Sequence, residues 1–197
     1  MAGHQHGMLT YPHRCTGEIP NWVSKTFYHC RVRKALLNPD QQQKLAIVRN
    51  FTRELGIPSP SNRYAVNIQN SHLSREDSGT SSYNEAEVSS IMDDIRRIRA
   101  RPEMRGMSIC VLSFYKAQVT KLKAGCYALT GVDVRDGNEL LSPISVKTID
   151  GAQGTEYDIV MLSFVQTQWA AFFGEFHRLV VSLTRRDSCL ESTSTGP

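Results

Sequence analysis

Two stretches of this 197-residue chain carry side chains suited to handling a phosphorylated ligand. Residues 146–164 read VKTIDGAQGTEYDIVMLSF: a strand, a tight glycine-containing turn with a buried-looking carboxylate, then a second apolar strand. Residues 178–185 read RLVVSLTR, a short amphipathic helix that runs out into Arg185 and Arg186. At the carboxyl edge of a parallel sheet, these pieces aim the Thr148 hydroxyl, the Glu156 carboxylate and the Arg185 guanidinium at such a ligand. The 197 residues contain no G-x-x-x-x-G-K-[ST] phosphate loop, so they hold part of a nucleotide machine.

The elements that must position those residues are legible from spacing. Ile19 to Tyr28 reads as a short helix with Trp22, Val23, Phe27 and Tyr28 on its apolar face. Asn38-Pro39-Asp40 is a helix start, with a cap, a proline in the first turn and an acid beside it. Leu45, Val48, Phe51 and Leu55 keep helical spacing until Gly56 and the prolines at 58 and 60 stop it. Tyr64, Val66 and Ile68 alternate as in a strand, and Asn70 to Ser82 has the composition of a loop. Asn84 caps a helix whose Val88, Ile91, Ile95 and Ile98 share one face, ending before Pro102. Met107 to Ser113 is an apolar strand, Tyr115 to Gly125 a helix, and Ile144–Ile149 and Asp158–Phe164 two further strands. Strands alternating with helices predict a parallel α/β sheet covered on both faces. The polar stretch from Asp187 reads as a frayed tail.

Composition narrows the class. An apolar fraction of 40% with 21% charged residues is that of a soluble globular chain. No apolar run approaches the length of a membrane span, and the first residues lack the core of a signal peptide. Five scattered cysteines without a C-x-x-C pair predict reduced thiols and an intracellular setting, nuclear or cytoplasmic. A net charge of +4 permits nucleic-acid binding without demanding it. The arginines at 96, 97, 99, 101 and 105 read as a solvated face. His13, Cys15, His29 and Cys30 fit no common ligand spacing, so no metal site is expected. Glu156 and Asp158 could equally be turn carboxylates, and Arg185 a cation at a helix end.

Five segments in order resemble the second RecA-like lobe of superfamily 1 helicases, in the branch of the nonsense-mediated-decay helicase and senataxin. Residues 9–32 resemble L-T-x-Q-Y-R-M…F-Y, and residues 81–95 are similar to S-x-x-N-x-x-E-A-x-x-V. Residues 108–123 are similar to the I-x-V-I-T-P-Y-x-x-Q strand and helix. Residues 146–167 follow V-x-T-V-D-x-F-Q-G-x-E-x-D, and residues 178–185 follow R-L-N-V-A-L-T-R.

The resemblance implies a three-layer RecA-like α/β fold with a mainly parallel sheet. Residues 1–37 would be a lead-in segment with the first arginine motif, 38–186 the lobe, and 187–197 a polar tail. In such helicases ATP with Mg²⁺ sits between two lobes. Arg14 and Arg185 match the arginines that reach the γ-phosphate, and a planar fork suits charge spread over phosphoryl oxygens. Glu156 matches the carboxylate that engages the ribose, with Gly154 allowing close backbone approach. Gln153 and His13 fall beside the nucleotide. Thr148, Ser113 and Gln118 match positions along the strand of RNA or DNA, where contacts to the backbone position without reading sequence. Arg178 matches a structural arginine.

The chain departs from the pattern at several positions. Pro12-His13 stands where the family has Gln-Tyr, Phe114 where it has Pro, Val180 where it has Asn, and Arg186-Asp187 at the ending. The last strand of the family is absent or degraded into the polar tail. The implied activity is ATP-dependent unwinding, completed by a first lobe in cis or trans that brings the phosphate loop and the Mg²⁺-holding carboxylate. The alternative is a truncated, non-catalytic module that binds nucleic acid or protein.

Overall fold

The structure is a computed structural model, which describes residues 17–33, 36–57, 61–69, 71–75, 81–130, 144–152, 155–165 and, by backbone, 189–194. Its frame is a five-stranded parallel sheet in the order β1-β7-β6-β4-β5, formed by Arg63–Ile68, Cys189–Ser194, Ile159–Ser163, Ile109–Ser113 and Ile144–Thr148. A two-stranded antiparallel ribbon, β2 (Ser74–Arg75) with β3 (Ser82–Tyr83), lies within the stretch expected to be loop. Among the described residues, four helices complete the frame: α1 (Ile19–Phe27), α2 (Pro39–Glu54), α3 (Glu85–Arg99) and α4 (Lys116–Thr130).

Strands β4 and β6 are buried along their whole length because both faces of the sheet are covered. Alternate residues then enter different cores. Ile109, Val111, Ile159 and Met161 pack with Val48 and Phe51 of α2, Ile91, Ile95 and Ile98 of α3, and Leu122 of α4. Cys110, Leu112, Val160 and Leu162 pack on the other face with Ile19 and Val23 of α1. This is the three-layer α/β arrangement expected of a RecA-like lobe.

The helix starts follow the local signals. Asn38 caps α2 in a full capping box: its Oδ1 accepts from the Gln41 amide at 2.8 Å, and Gln41 Oε1 accepts from the Asn38 amide at 3.1 Å. Asn84 Oδ1 accepts from the Ala86 and Glu87 amides at the start of α3. Helix α1 ends in a turn where His29 and Cys30 take positive φ, and Ser24 Oγ fixes it by donating to Val32 O at 2.7 Å.

Helix α4 continues past the expected stop at Gly125 to Thr130. The glycine serves the crossing of α3 and α4: a Cβ at that position would sit 3.0 Å from Met92 Sδ. Cys126, fully buried, follows it into the core, and burial raises its thiol to about 12. The frayed-tail reading is corrected for residues 189–194, which form β7 between β1 and β6. Backbone pairing on both sides holds a strand there without the apolar alternation that local reading needs.

The solvated-face reading of the arginine run is also corrected in part. Arg96 and Arg97 do pair at the surface with Asp93 and Asp94. Arg99 is half-buried and donates to the carbonyls of Met104, Arg105 and Met107, so it binds the turn that leads into β4. Arg101 reaches Glu54 and lies 5.1 Å from the Phe51 ring centroid, joining that turn to α2.

Tyr64 on β1 donates to Asp94 Oδ2 on α3 at 3.1 Å. Burial, then the neighbouring carboxylate, holds the phenol above its ordinary value of about 10. A raised phenol contributes stability that is full below the unfolded value and is lost as pH climbs beyond it. Between about pH 10 and 12 the wild-type chain should therefore lose stability faster than Tyr64→Phe. Parallel urea titrations of the two proteins measure this, and identical alkaline slopes would contradict it. At pH 7 the same change should cost about 1 kcal/mol, since Asp94 loses a donor in a nearly buried position.

Candidate functional site

The carboxyl edge of the sheet ends in hydroxyls. Ser113 closes β4 and lies in register with Thr148 of β5 on one side and Ser163 of β6 on the other. Three strands thus deliver Ser113, Thr148 and Ser163 to one edge because each apolar run stops at the same level. Parallel α/β sheets bind their ligands at this edge.

Thr148 is half-buried, and its Oγ1 accepts from the Gly151 amide at 3.2 Å. That bond caps the 3-10 turn at 150–152 that leaves β5. A Cβ on Gly151 would come to 3.1 Å from the same oxygen, so the turn keeps its tightness with glycine. Asp150 is exposed at the turn, while Ala152 is buried and anchors it in the second core.

Ser113 and Gln118, matched in the sequence to positions along the nucleic-acid strand, are turned into the lobe instead. Ser113 is fully buried; its Oγ donates to Ser163 O at 3.0 Å and accepts weakly from the Tyr115 amide. Gln118 is also fully buried. Its Nε2 donates to Ser163 Oγ at 2.8 Å and to Asn84 O, and its Oε1 accepts from the Asn84 amide at 2.8 Å. Polar side chains can be buried here because each finds partners inside the lobe. Both residues hold the edge together from within.

Glu87 completes this interior network, and sequence reasoning passed over it. Its carboxylate is fully buried on α3, accepts from Ser163 Oγ at 2.6 Å, and accepts from the Val165 amide at 3.0 and 3.1 Å. Ser81 Oγ meanwhile accepts from the Ala117 amide at 3.0 Å, next to the start of α4. Ser81, Asn84 and Glu87 are the S, N and E of the S-x-x-N-x-x-E segment, and each makes a different tie. The available signal was a Glu three residues beyond a cap and followed by an apolar face, which reads as an ordinary first-turn acid.

The two acids of T-E-Y-D differ in their surroundings. Asp158 is the turn carboxylate. Its Oδ2 accepts from the amide and the hydroxyl of Ser108 at 2.8 Å, Ser108 Oγ accepts from the Asp158 amide at 2.9 Å, and Oδ1 pairs with Lys44 at 3.0 Å. That cluster fastens the start of β6 to the start of β4. Asp158, and then Asp40, raise the Lys44 ammonium above its ordinary value. Glu156 is exposed. Beside it Tyr157 packs on the second core, and Lys147 Nζ stands 5.9 Å from its ring centroid.

Downstream of the first arginine motif, Glu18 fixes the start of α1. It pairs with Arg49 of α2 and accepts from the Asn62 amide, while Asn62 Oδ1 accepts from the Glu18 amide at 3.2 Å. Gly17 takes φ +64 here, and a Cβ would lie 2.7 Å from the Asn62 side chain. Arg14, His13, Gln153, Gly154, Arg178 and Arg185 lie outside the described residues. Among the described residues, no group of three His, Cys, Asp or Glu could hold a metal ion, and no helix is long and apolar enough to cross a membrane.

The profile of the AAA domain family, AAA_12, matches residues 1–191. Over 185 residues the chain is 26% identical to the mouse 5'-3' DNA helicase ZGRF1, covering 94% of this chain and 9% of that protein. It is 36% identical over 111 residues to the DNA polymerase alpha-associated DNA helicase A of Saccharomyces cerevisiae, covering 53% of this chain and 14% of the relative. Helicase sen1 of Schizosaccharomyces pombe is 25% identical over 188 residues, which are 93% of this chain and 10% of that protein. The chain therefore spans a small part of the length of these relatives. A solved C-terminal domain of a possible DNA helicase from a Lactobacillus superposes with a TM-score of 0.48 at 14% identity, covering 82% of this chain and 88% of that domain. The chain belongs to the AAA domain family, AAA_12, among the superfamily 1 helicases of the nonsense-mediated-decay and senataxin branch.

Proposed function

We propose that this chain is the second lobe of a helicase motor, supplying arginines and nucleic-acid backbone contacts for ATP-dependent unwinding. The observation that carries the reading is the carboxyl edge itself. There Thr148 and its tight glycine turn stand beside two buried serine hydroxyls, in the segment that continues to the exposed Glu156.

ATP with Mg²⁺ would supply the phosphoryl group whose transfer to water drives movement along the strand. Of its proposed partners, Glu156 fits by exposure and chemistry, because an open carboxylate accepts from ribose hydroxyls. Gly154 would let the backbone come close, with Gln153 and His13 flanking the nucleotide. Arg14 and Arg185 would stabilise charge on the phosphoryl oxygens with planar, permanently charged forks. Thr148 would touch the backbone of single-stranded RNA or DNA, while Ser113 and Gln118 support it from behind. A first RecA-like lobe, in cis or trans, would grip the β-phosphate and the metal.

Purified alone, these 197 residues should show no ATP hydrolysis above background, because the sequence holds no phosphate loop. Mg²⁺-dependent turnover that persists in Arg185→Ala would overturn the half-site reading.

Binding to single strands should be weak, indifferent to sequence and shallow in salt. Each phosphate contact on a single strand contributes a log–log slope of roughly −0.7, so a few contacts give about −1 to −3 in total. Thr148→Val should weaken this binding and leave the overall fold intact. Fluorescence anisotropy with labelled oligonucleotides of mixed sequence measures both. Tight binding to one particular sequence would contradict backbone tracking. No binding at low salt would favour a non-catalytic module that engages protein.

A further inference from the structure

Val165 has the most unusual backbone in the sheet region. It follows β6 at the carboxyl edge, is fully buried, and takes φ +68. A β-branched residue in the left-handed region is an outlier that persists only when its surroundings hold it there. Its surroundings do so here: both Glu87 carboxylate oxygens accept from the Val165 amide, and the same carboxylate accepts from Ser163 Oγ two residues earlier. Gln118 and Ser113 then tie Ser163 to α4 and β4.

We propose that Glu87 is a positioning residue: from inside the lobe it clamps the strained exit of β6 and so fixes the backbone at Val165, where the chain leaves the strand. The clamp rests on geometry alone, whereas its value to catalysis rests on the helicase-lobe reading above. A carboxylate is the suitable group. In its ionised form both oxygens accept, from an amide and a hydroxyl at once, and hydrogen bonds to a charged acceptor are the stronger kind. In Glu87→Gln one of the two accepting atoms becomes a donor, so the amide loses its second acceptor and the hydroxyl has to turn or share the remaining oxygen.

Amide hydrogen exchange on the full chain separates a clamp from general stabilisation. In Glu87→Gln the Val165 amide should exchange roughly tenfold or more faster beyond any change shared with Val111 and Met161. Equal acceleration at all three would overturn the proposal. If Glu87→Gln does not fold, Ser163→Ala removes one arm of the network and should accelerate Val165 selectively by a smaller factor; no selective effect would equally overturn it.

A double-mutant cycle supplies the second readout. Glycine takes positive φ without strain, so the stability lost on Glu87→Gln should be larger in a Val165→Gly background, where no released strain offsets it. The same loss in both backgrounds rejects the clamp.

The catalytic arm uses the chain joined to a matching first lobe. There Glu87→Gln should lower kcat for ATP hydrolysis about tenfold or more with KM for ATP nearly unchanged, as expected when a group acting only in the transition state is misplaced. An unchanged kcat, with the exchange result in hand, removes the positioning role. A joined wild-type protein that never turns over counts against the helicase-lobe reading, while the exchange and cycle results still decide the clamp.

Discussion

Arg185→Ala should remove about 10³-fold or more of the nucleic-acid-stimulated ATP hydrolysis of this chain once it is joined to a matching first lobe. The expectation follows from the R-L-x-x-x-L-T-R pattern at residues 178–185 and from the chemistry of phosphoryl transfer. Charge in that transition state spreads over oxygens that no longer resemble the ground state, and a cation aimed there acts on the barrier rather than on binding. KM for ATP should accordingly move much less than kcat. Arg185→Lys should recover little, because an ammonium point charge cannot reproduce two parallel donors in a plane. Steady-state hydrolysis with and without an oligonucleotide measures all three proteins. If the joined protein hydrolyses ATP equally well with alanine at 185, Arg185 is a helix-end cation and the assignment passes to Arg14 alone.

Ile95→Ala should be the most damaging of the simple core changes, lowering stability by about 2–5 kcal/mol. Ile95 is fully buried on the inward face of α3, within the core that joins three helices to strands β4, β5 and β6. Truncation loses the transfer energy of the removed carbons and leaves a cavity that these rigidly paired strands cannot close. The urea midpoint should drop while the slope of the transition stays the same. Leu36→Ala is the matched control. Leu36 is fully exposed, so its loss should stay within about 0.5 kcal/mol. Comparable losses at the two positions would mean that α3 is not the keystone of that core.

The edge chemistry and the core stability are connected through Glu87, which lies two turns before Ile95 on α3. One helix buries its apolar face in the core and sends its first turn to the carboxyl edge of the sheet. A change that shifts α3 should therefore be felt at Ser163 and Val165 even though it touches neither.

Much of this was legible along the chain because it is local. Asn38 and Asn84 announce their helices through capping geometry, which involves only the next three residues. The apolar runs of β4 and β6 announce strands buried on both faces, and they are so buried. The five ordered segments identify the family, and the AAA domain profile spans them. The failures share one cause. Gly125 reads as a stop until α3 is known to pass against it. Residues 189–194 read as a tail until β1 and β6 are found on either side.

The site divides along the same line. Sequence alone placed the Ser113 and Thr148 hydroxyls, the Gln118 amide and the Glu156 carboxylate at one site, and the structure ends three strands in register at Ser113, Thr148 and Ser163. Only the tertiary structure decided which of them face inward. Ser113, Gln118 and Glu87 are buried because α3, α4 and β6 converge on them from positions up to 78 residues apart, and Asp158 turns to Ser108, 50 residues before it. Glu156 is left exposed two residues from Asp158. Periodicity and capping are set by neighbours in sequence, so they can be read there. Burial is set by elements that meet only when the chain has folded, and a polar side chain carries no mark of which side of that meeting it will occupy.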